Sequence, residues 1–549
     1  MRLFTTIAGL RCFLALSRSG RTSLMEDGIT HPIANSFPLS VGLVPTMGAL
    51  HAGHLSLIRR ARQENDLVVV SIFVNPLQFA PHEDFQRYPR TLEKDQELCQ
   101  QVGVDALFAP AATELYGTPN IPVSEVLTQV IPPVAMITGL CGRSRPTHFQ
   151  GVATVVTKLL SIVQPDRAYF GQKDAQQLAI LKRLMTDLNL PVEIIGCPIV
   201  READGLAMSS RNRYLSTEER SQAIVLYRSL KRAAQAFQHG KLLREELMAA
   251  VASELAVVPR VQLEYVELVH PDTMAPLEQV DDVGLLAIAA HFGSTRLIDN
   301  ILLRNRKPIL AIDGPAGAGK STVARQVAQT LGLLYLDTGA MYRAVTWLVL
   351  KSDIAINDEA AIAEFVSQCE IILEQGTADR EGQSPIPPSP LLALKVWING
   401  QDVTQEIRSL EVTAQVSTIA AQPIVRHELV KRQQAYGRKG GIVMDGRDIG
   451  TFVFPDAELK IFLTASVQER ARRRRQELIN QGQADLTSTE LEQAIQERDR
   501  KDSTRQVAPL KQAIDAIEIQ TDNLSIDEVT AKIVSLYRQR LAELYGEQV

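Results

Sequence analysis

The chain has 549 residues, of which 45% are hydrophobic and 22% are charged, and its formal net charge is -5 at pH 7. This length is too great for one hydrophobic core, and the composition excludes disordered and fibrous proteins. The mildly acidic balance argues against a nucleic-acid partner, and no apolar run approaches the roughly 18 to 20 residues that span a bilayer.

The five cysteines are widely spaced, odd in number and without a C-x-x-C pair. This usage disfavours both a disulfide framework and a structural zinc site. The first twenty residues are apolar but are interrupted by Arg11 and Arg18, which is unlike a secretory signal peptide. We therefore expect a cytoplasmic protein with reduced thiols and with neither a membrane nor a nucleic-acid partner.

β-rich runs at 42–45 and 67–74 flank a helical pattern at 55–62, and the same alternation restarts at Pro308. Such alternation indicates βαβ units and parallel sheets, the α/β class. Residues 21–40 and 379–389 carry turn formers and little periodicity, so we expect loops there.

The segment 44–54 reads VPTMGALHAGH and joins a predicted strand to a predicted helix. His51 and His54 at the helix start can both face a triphosphate, where imidazole N–H groups and the helix dipole stabilise charge as the α-phosphorus is attacked. Metal ligation or core burial are alternatives for paired histidines, but no third ligand lies nearby in sequence. The motif predicts nucleotidyl transfer.

Four more segments accompany this motif: SIFVNPLQF at 71–79, SRPTHFQGV at 144–152, FGQKDAQQ at 170–177 and MSSRN at 208–212. Together they resemble the pantothenate synthetase family over about residues 1–300. The resemblance implies a Rossmann-like domain at 1–195 with a small α+β subdomain at 196–304. It also implies that Mg·ATP and pantoate form pantoyl adenylate, that β-alanine then displaces AMP, and that this half forms a homodimer.

The resemblance assigns roles residue by residue. His51, His54 and Lys173 would be catalytic, with His54 as proton donor, and Gly171 and Asp174 would take the ribose. The implied ATP-binding residues are Met47, Gly48, His51, Gly53, His54, Gly171, Lys173, Asp174, Val200, Met208, Ser209, Ser210 and Arg211. Amide side chains would bind pantoate and β-alanine: Asn75, Gln78 and Gln177. On the residues alone, another nucleotidylyltransferase or an aminoacyl-tRNA-synthetase-like activity stays open, the latter without the basic domain that tRNA binding requires.

Residues 294–308 read STRLIDNILLRNRKP, which predicts a final apolar turn and a short basic link, so we place the main boundary near 305. A hydrophobic strand at 307–313 then runs into GPAGAGKS at 314–321, which fits the phosphate-loop pattern G-x-x-x-x-G-K-[ST]. Its backbone N–H groups would surround phosphate oxygens, with Lys320 as a point charge and Ser321 as a hydroxyl for the Mg²⁺ shell. The sequence lacks the N-K-x-D of a GTPase.

The segments LDTGAMYR at 336–343, DGRDIGT at 445–451, RARRRR at 470–475 and ERDRKD at 497–502 follow. With the phosphate loop they resemble the cytidylate kinase family over 308–549. The resemblance implies a P-loop nucleoside-monophosphate kinase fold at 305–549, with a parallel sheet, an NMP-binding insert and a lid. The implied reaction transfers the γ-phosphate of ATP to CMP or dCMP, for which arginine forks suit the charge on the phosphoryl oxygens.

By this resemblance, Lys320, Arg498 and Arg505 would be catalytic, the two arginines closing as a lid. The implied ATP-binding residues are Gly314, Gly317, Gly319, Lys320, Ser321 and Thr322. The implied CMP-binding residues are Thr338, Tyr342, Arg343, Arg408, Arg426, Arg447 and Asp448. We assign no protein metal ligand beyond the candidate Ser321, and no prosthetic group. A nucleotide sensor without turnover is the alternative from another class, and a solvated helix face is the alternative for Arg472 to Arg475.

Overall fold

The computed structural model describes residues 1–19, 22–24, 30–32, 39–80, 83–117, 127–258, 261–352, 354–375, 394–480, 487–505 and 507–545. Of the two loops expected from the sequence, 21–40 lies largely and 379–389 wholly outside these residues. The chain forms two compact units, Met1–Asn305 and Arg306–Val549. Among the described residues, no helix is both long and apolar enough to cross a bilayer.

A parallel sheet forms the centre of the first unit, with strand order β1-β6-β5-β4-β7-β8 in the described part of the chain. From the first residue to Cys197, the described strands are β1 (Arg2–Phe4), β2 (Thr22–Leu24), β3 (Thr30–Pro32), β4 (Val41–Thr46), β5 (Leu67–Ile72), β6 (Ala106–Phe108), β7 (Arg167–Gly171) and β8 (Glu193–Cys197). β2 and β3 pair only with each other. This sheet confirms the predicted parallel α/β fold. β4 and β5 are apolar runs buried on both faces, as is typical of strands in a parallel sheet.

Helices connect and cover these strands. They are Ile7–Ser19, Ala52–Glu64, Leu92–Gln101, Ala112–Tyr116, Val134–Ile137, Cys141–Ser144, His148–Val163 and Ala175–Asp187, with 3₁₀ turns at Pro76–Gln78 and Gln172–Asp174. Because β4, β5 and β7 are parallel neighbours, the segments that follow their carboxyl ends meet at one edge of the sheet.

A small α+β portion completes the first unit. It contains a 3₁₀ turn at Ser210–Tyr214 and the helices Thr217–Ala223, Val225–Gln238 and Arg244–Leu255, followed by the antiparallel strands β9 (Gln262–Val269), β10 (Val283–Phe292) and β11 (Thr295–Arg304). The apolar turn predicted within 294–308 is wrong, since β11 pairs with β10 along its whole length. Gly293, at φ +57°, closes a tight hairpin between Phe292 and Thr295 that converts the apolar stretch into a strand.

The second unit has a parallel sheet of order β13-β17-β12-β18-β19 and a small antiparallel sheet of order β14-β15-β16, as far as the chain is described. The strands are β12 (Ile309–Asp313), β13 (Leu334–Asp337), β14 (Ile371–Gln375), β15 (Leu394–Ile398), β16 (Gln401–Asp402), β17 (Ile442–Asp445), β18 (Leu459–Thr464) and β19 (Ile517–Gln520). The helices are Lys320–Leu331, Thr338–Lys351, Glu359–Gln368, Leu410–Ala421, Pro423–Gly437, Val467–Asn480, Ser488–Thr504 and Ile526–Tyr545.

Candidate active sites

Two histidines mark the start of the helix Ala52–Glu64, directly after β4. His51 is the N-cap residue, and its Nδ1 accepts the main-chain N–H of Gly53 at 3.2 Å. The neutral His51 ring therefore carries its proton on Nε2. His54 lies beside it, with 4.1 Å between the ring centroids.

Burial and nearby positive charge keep both imidazoles neutral. Burial, together with the charges of Lys173 and Arg213, lowers the pKa of His51 to about 4. Burial also holds the pKa of His54 well below its ordinary value, with His51 and Lys173 adding to the effect. The His54 Nδ1 is buried without a hydrogen-bond partner in the described part of the chain. Near pH 7 both rings are uncharged and can donate N–H hydrogen bonds to an anion.

Asp95 holds the turn that precedes the histidines. Its two carboxylate oxygens accept the main-chain N–H groups of Ala49 and Leu50, each at 2.8 Å. This turn needs support because Gly48 and Ala49 both have positive φ, +81° and +51°. Gly48 also lies against Asp95, since a Cβ on it would be 3.0 Å from the carboxylate. Gly48 thus belongs to the supporting turn and is not among the residues that line the cleft.

One cleft contains the other candidate residues of the first unit. They are Met47, His51, Gly53, His54, Asn75, Gln78, Gly171, Lys173, Asp174, Gln177, Val200, Met208, Ser209, Ser210 and Arg211. They come from five separate segments of the sequence, which the parallel strand order gathers at one edge of the sheet.

The amide group of Asn75 is fully used within the protein. Its Oδ1 accepts the N–H of Leu77 at 3.2 Å and the hydroxyl of Tyr116 at 2.8 Å. Its Nδ2 donates to Gln78 Oε1 at 3.2 Å and to the carbonyl of Gly151 at 3.1 Å. Asn75 therefore fixes the Gln78 side chain, which also contacts the sulfur of a methionine in the cleft.

The main-chain carbonyl of Gln78 is held from the other side. It accepts hydrogen bonds from His148 Nδ1 at 2.8 Å and from Arg145 Nη2 at 3.2 Å. The Arg145 guanidinium also forms two hydrogen bonds of 2.5 Å with Glu83. Burial, together with the Arg145 charge, lowers the pKa of His148 to about 3. The neutral ring must carry its proton on Nδ1, because a carbonyl oxygen only accepts.

The end of β7 presents Gly171, Lys173 and Asp174 to the cleft. Asn300 of β11 supports this segment, as its Nδ2 donates to the carbonyl of Lys173 at 2.9 Å. No protein atom lies within 4 Å of a Cβ added to Gly171. The space in front of Gly171 is therefore open.

The loop after β8 supplies hydroxyls and a guanidinium. Ser209 Oγ accepts the N–H of Arg211 at 3.3 Å, and Ser210 Oγ lies 3.2 Å from the hydroxyl of Tyr88. Arg211 donates to both carboxylate oxygens of Asp84, at 3.0 and 2.8 Å. Two distant loops are thereby joined across the cleft.

In the second unit, the phosphate loop lies between β12 and the helix Lys320–Leu331. Its glycines have positive φ, at +146°, +77° and +87° for Gly314, Gly317 and Gly319. A Cβ on Gly314 would be 2.0 Å from the carbonyl oxygen of Leu463, so only glycine fits. Lys320 Nζ donates to a main-chain carbonyl of the loop at 2.8 Å. Burial and the charge of Arg447 hold the pKa of Lys320 well below its usual value.

Asp445, at the end of β17, organises the residues beside the phosphate loop. Its carboxylate accepts the hydroxyls of Ser321 at 2.6 Å and Tyr335 at 2.9 Å. Its main-chain carbonyl accepts the hydroxyl of Thr338 at 2.7 Å. Burial and the negative charge of Asp337 raise the pKa of Asp445. Thr322 follows in the first turn of the helix.

Arg426 and Asp448 form a buried ion pair through Nη2 and Oδ2. Arg426 also donates to the carbonyl of Ala420 at 3.1 Å and lies over the ring of Tyr342, 5.3 Å from its centroid. The other oxygen of Asp448 is 3.4 Å from Arg505 Nη2. One carboxylate thus brings together two candidate arginines, one from the helix Pro423–Gly437 and one directly after the helix Ser488–Thr504.

The helix Ser488–Thr504 reaches the same region. Arg447 Nε donates to Asp502 Oδ2 of this helix at 2.8 Å. Burial and the charge of Arg447 lower the pKa of Arg498, which lies in this group of arginines. Arg343 is paired with Asp337 at 2.9 Å. Such a cluster is suited to bind the phosphate groups of nucleotides.

Asp313 connects the phosphate-loop strand to the segment that bears Asp448. Its two oxygens accept the N–H groups of Ile449 and Gly450 at 2.8 and 2.7 Å, within the π-helical turn Ile449–Val453. Burial raises its pKa to about 7. Asp313, which ends the strand before the phosphate loop, therefore fixes the main chain that follows Asp448.

Arg408 is the candidate that the structure does not bring to this cluster. It is exposed at the end of the 3₁₀ turn Glu406–Arg408, without a side-chain hydrogen bond or ion pair in the described residues. No group of three or more His, Cys, Asp or Glu that could hold a metal ion occurs in the described ranges.

Sequence reasoning gave no role to several site residues: Asp84, Asp95, Arg145, His148, Asp313, Asp445 and Asp502. Of these, Arg145, His148, Asp445 and Asp502 stand within the quoted segments. The supporting carboxylates lie up to 137 positions from the groups they bind, so a local pattern does not show their partners. Asp313 and Asp445 did carry a signal, because they end the strands that precede the two glycine-rich segments.

Family models match both parts of the chain: pantoate-beta-alanine ligase over residues 28–302 and cytidylate kinase over residues 310–539. The chain is 61% identical over 546 residues to the bifunctional pantoate ligase/cytidylate kinase of Nostoc sp. strain PCC 7120, covering 99% of this chain and 100% of the relative. The identity is also 61%, with the same coverage, for the protein of that description from Trichormus variabilis.

Among solved structures, the first unit is similar to the pantothenate synthetase of Thermus thermophilus, with 44% identity, 55% of this chain and 99% of that chain covered, and a TM-score of 0.48. The full-length identity to the two relatives, with both family models in the same order, decides the assignment. The chain belongs to the bifunctional pantoate ligase/cytidylate kinase family and is an enzyme with a ligase and a kinase activity.

Proposed function

We propose that the first unit condenses pantoate with β-alanine through pantoyl adenylate, and that the second unit transfers the γ-phosphate of ATP to CMP or dCMP. The observation that carries the first assignment is the pair of neutral imidazoles beside Lys173 in one cleft. The observation that carries the second is the phosphate loop beside a cluster of arginines.

In the first reaction a pantoate carboxylate oxygen attacks the α-phosphorus of ATP, and the bond to the bridging oxygen breaks to release pyrophosphate. His51 can donate its Nε2–H to the phosphate oxygens, and His54 stands beside it with a buried nitrogen. Lys173 adds positive charge where negative charge develops. Neutral imidazoles suit this role because they donate without repelling the lysine.

The resulting acyl adenylate is attacked at its carbonyl carbon by the amine of β-alanine. The C–N bond forms, AMP leaves, and the amine proton is lost to solvent. Gln78 and Gln177 would hold pantoate, since an amide can both donate to a carboxylate and accept from a hydroxyl. Asn75 is assigned to positioning Gln78, because its own amide is fully bonded.

ATP would lie against the open space in front of Gly171 and Asp174, with its phosphates near Ser209 to Arg211. A Cβ at position 53 would lie 2.9 Å from His51 Cε1, so glycine there lets the main chain and the imidazole lie together at this side of the nucleotide site. Met47, Val200 and Met208 supply its apolar walls.

In the kinase reaction an oxygen of the CMP phosphate attacks the γ-phosphorus of ATP, and the bond to the β-phosphate oxygen breaks to give ADP. The phosphate loop and Lys320 would hold the ATP phosphates. The CMP-binding residues would be Thr338, Tyr342, Arg343, Arg426, Arg447 and Asp448, and Arg498 and Arg505 would neutralise the transferring group. The role of Arg408 in CMP binding rests on the family resemblance alone, because Arg408 is exposed outside this cluster.

Mg²⁺ would accompany ATP in both reactions. The Ser321 hydroxyl and the Asp445 carboxylate, which are hydrogen-bonded at 2.6 Å beside the phosphate loop, are oxygen donors of the kind Mg²⁺ prefers. When bound, the ion neutralises charge on the phosphate oxygens. The family resemblance further supports a homodimer formed through the first unit.

The test is to measure AMP and pyrophosphate release with ATP, pantoate and β-alanine, and CMP-dependent ADP formation, on the same purified chain. His54→Ala should abolish only the first activity and Lys320→Ala only the second. Absence of AMP release by the unmodified chain would overturn the pantoate assignment. Loss of both activities in either variant would overturn the assignment of separate sites.

A further inference from the structure

Arg470 connects the phosphate loop to the helix Ser488–Thr504, which carries Arg498. Its Nη1 donates to the carbonyl of Ala316, within the phosphate loop, at 3.1 Å. Its Nη2 is 2.7 Å from Asp499 Oδ2. Its Nε donates to the carbonyl of Ala465 at 3.1 Å, just before its own helix.

The connection is buried. Arg470 is only 4% exposed, and a Cβ on Gly317 would lie 3.2 Å from Arg470 Cβ, so the phosphate loop packs on the stem of this side chain. Three separate nitrogens serve three segments, which the planar fork of arginine permits and the single ammonium of lysine does not. In this ion pair the Arg470 side chain is buried and the Asp499 side chain is 24% exposed, and such a pair specifies geometry more than it adds stability.

Arg498, next to Asp499, has unused donor capacity. Its Nε is buried without a hydrogen-bond partner in the described ranges, as is Asp499 Oδ1. Burial and the positive charge of Arg447 lower its pKa, so an anion placed there would be strongly favoured. Asp499 follows Arg498 directly in this helix. The ion pair between Arg470 and Asp499 therefore also fixes the position of Arg498.

We propose that Arg470 is a positioning residue for phosphoryl transfer, which acts through Asp499 to hold Arg498 against the phosphate loop. This inference rests on the proposed role of Arg498. In this arrangement the guanidinium of Arg470, rather than a movement of the whole helix Ser488–Thr504, sets the distance between the ATP phosphates and Arg498.

The test is a double-mutant cycle on kcat of the CMP-dependent reaction, measured on the full chain. Arg498→Ala alone should lower kcat by about 100-fold, as loss of one transition-state donor does. Arg470→Met should lower kcat about tenfold in the unmodified chain but less than about twofold in the Arg498→Ala background, because groups that act as a unit are not additive. KM for CMP should change little.

Arg470 also supports the phosphate loop, so the same cycle is repeated with Asp499→Asn, which leaves the Ala316 and Ala465 contacts in place. Arg472→Met is the matched control: it lies on the same helix, is 68% exposed and pairs with Glu469, and its kcat should be unchanged. Pantoate-dependent AMP release should stay constant in all variants.

Equal effects of Asp499→Asn on kcat with and without Arg498 would overturn the inference while leaving the role of Arg498 intact. An unchanged kcat in Arg498→Ala would instead overturn the proposed role of Arg498, and with it this inference.

Discussion

The guanidinium of Arg211 forms two hydrogen bonds with the carboxylate of Asp84, from Nε to Oδ2 at 3.0 Å and from Nη2 to Oδ1 at 2.8 Å. Burial opposes ionisation of Asp84, but the hydrogen bond and charge of Arg211 outweigh it and lower the pKa of this carboxyl. The pair is therefore charged at neutral pH. It fixes the orientation of an arginine that we place at the ATP phosphates.

Replacing Asp84 by Asn should lower kcat/KM for ATP in the pantoate-dependent reaction by about 10-fold to 100-fold, since an amide offers one acceptor oxygen where the fork needs two. Initial rates of AMP release at varied ATP measure the effect. Asp187→Asn is the control, because it removes one carboxylate oxygen from another Arg–Asp pair, in which Arg183 Nε donates to both oxygens of Asp187 on an exposed helix away from the cleft. Unchanged kcat/KM in Asp84→Asn would show that Arg211 needs no such support.

The pH dependence of the first reaction follows from its histidines. The pKa of His51 is lowered to about 4 and that of His54 lies well below 6.5, so neither ring gains a proton between pH 8 and pH 6. We expect kcat/KM for pantoate to show no acid limb near pH 6.5. A profile of AMP release from pH 5 to 8 tests this, and a limb that disappears in His51→Gln would contradict it.

The same shift links stability to pH. In the unfolded chain His51 takes up a proton at about pH 6.5, whereas in the folded chain it does so at about pH 4. Between these values the unfolded chain binds more protons, so the His51 contribution to the free energy of unfolding is present above pH 6.5 and decreases as pH falls toward 4. When the pH is lowered from 6 to 4.5, Tm should fall less in His51→Gln than in the unmodified chain. An equal fall in Tm would contradict the lowered pKa of His51.

The phosphate-binding motifs could be predicted from the sequence because each of them lies within one short segment. The residues with positive φ are Gly48 and Ala49 in the VPTMGALHAGH segment and Gly314, Gly317 and Gly319 in the phosphate loop, so each set lies within one short stretch of sequence. The supports of these motifs are not local: Asp95 is 46 positions from Ala49, and Asp84 is 127 from Arg211. Only the order of strands in the sheet brings them together, and a single sequence gives parallel order without saying which loops meet.

The buried pair of Arg426 and Asp448 should control the stability of the second unit. Their side chains are 1% and 6% exposed, so Arg426→Met would leave a buried carboxylate without its main partner, at a cost of about 3–5 kcal/mol. Urea unfolding followed by tryptophan fluorescence measures this, because both tryptophans of the chain, Trp347 and Trp397, belong to the second unit. Arg500→Met removes an exposed pair with Glu497 and should change the free energy of unfolding much less than Arg426→Met does. Equal costs would mean that burial does not decide the energy of the pair.

Substitutions at two glycines of the first unit distinguish a steric clash within the protein from a contact with the nucleotide. A Cβ on Gly53 would lie 2.9 Å from His51 Cε1, so Gly53→Ala must displace the imidazole, and we expect kcat for AMP release to fall by about 100-fold. A Cβ on Gly171 meets no protein atom within 4 Å, so Gly171→Ala should leave Tm and kcat unchanged.

If the ribose of ATP lies against Gly171, the added methyl group should raise KM for ATP about tenfold while KM for pantoate stays constant. Gly139→Ala is the control, because its Cβ would make only an ordinary contact, 3.6 Å from a Glu267 carboxylate oxygen. An unchanged KM for ATP in Gly171→Ala would place the nucleotide elsewhere in the cleft. The arrangement therefore predicts opposite kinetic signatures for two substitutions of the same size, because in Gly53→Ala the added methyl group meets the protein and in Gly171→Ala it meets only the substrate.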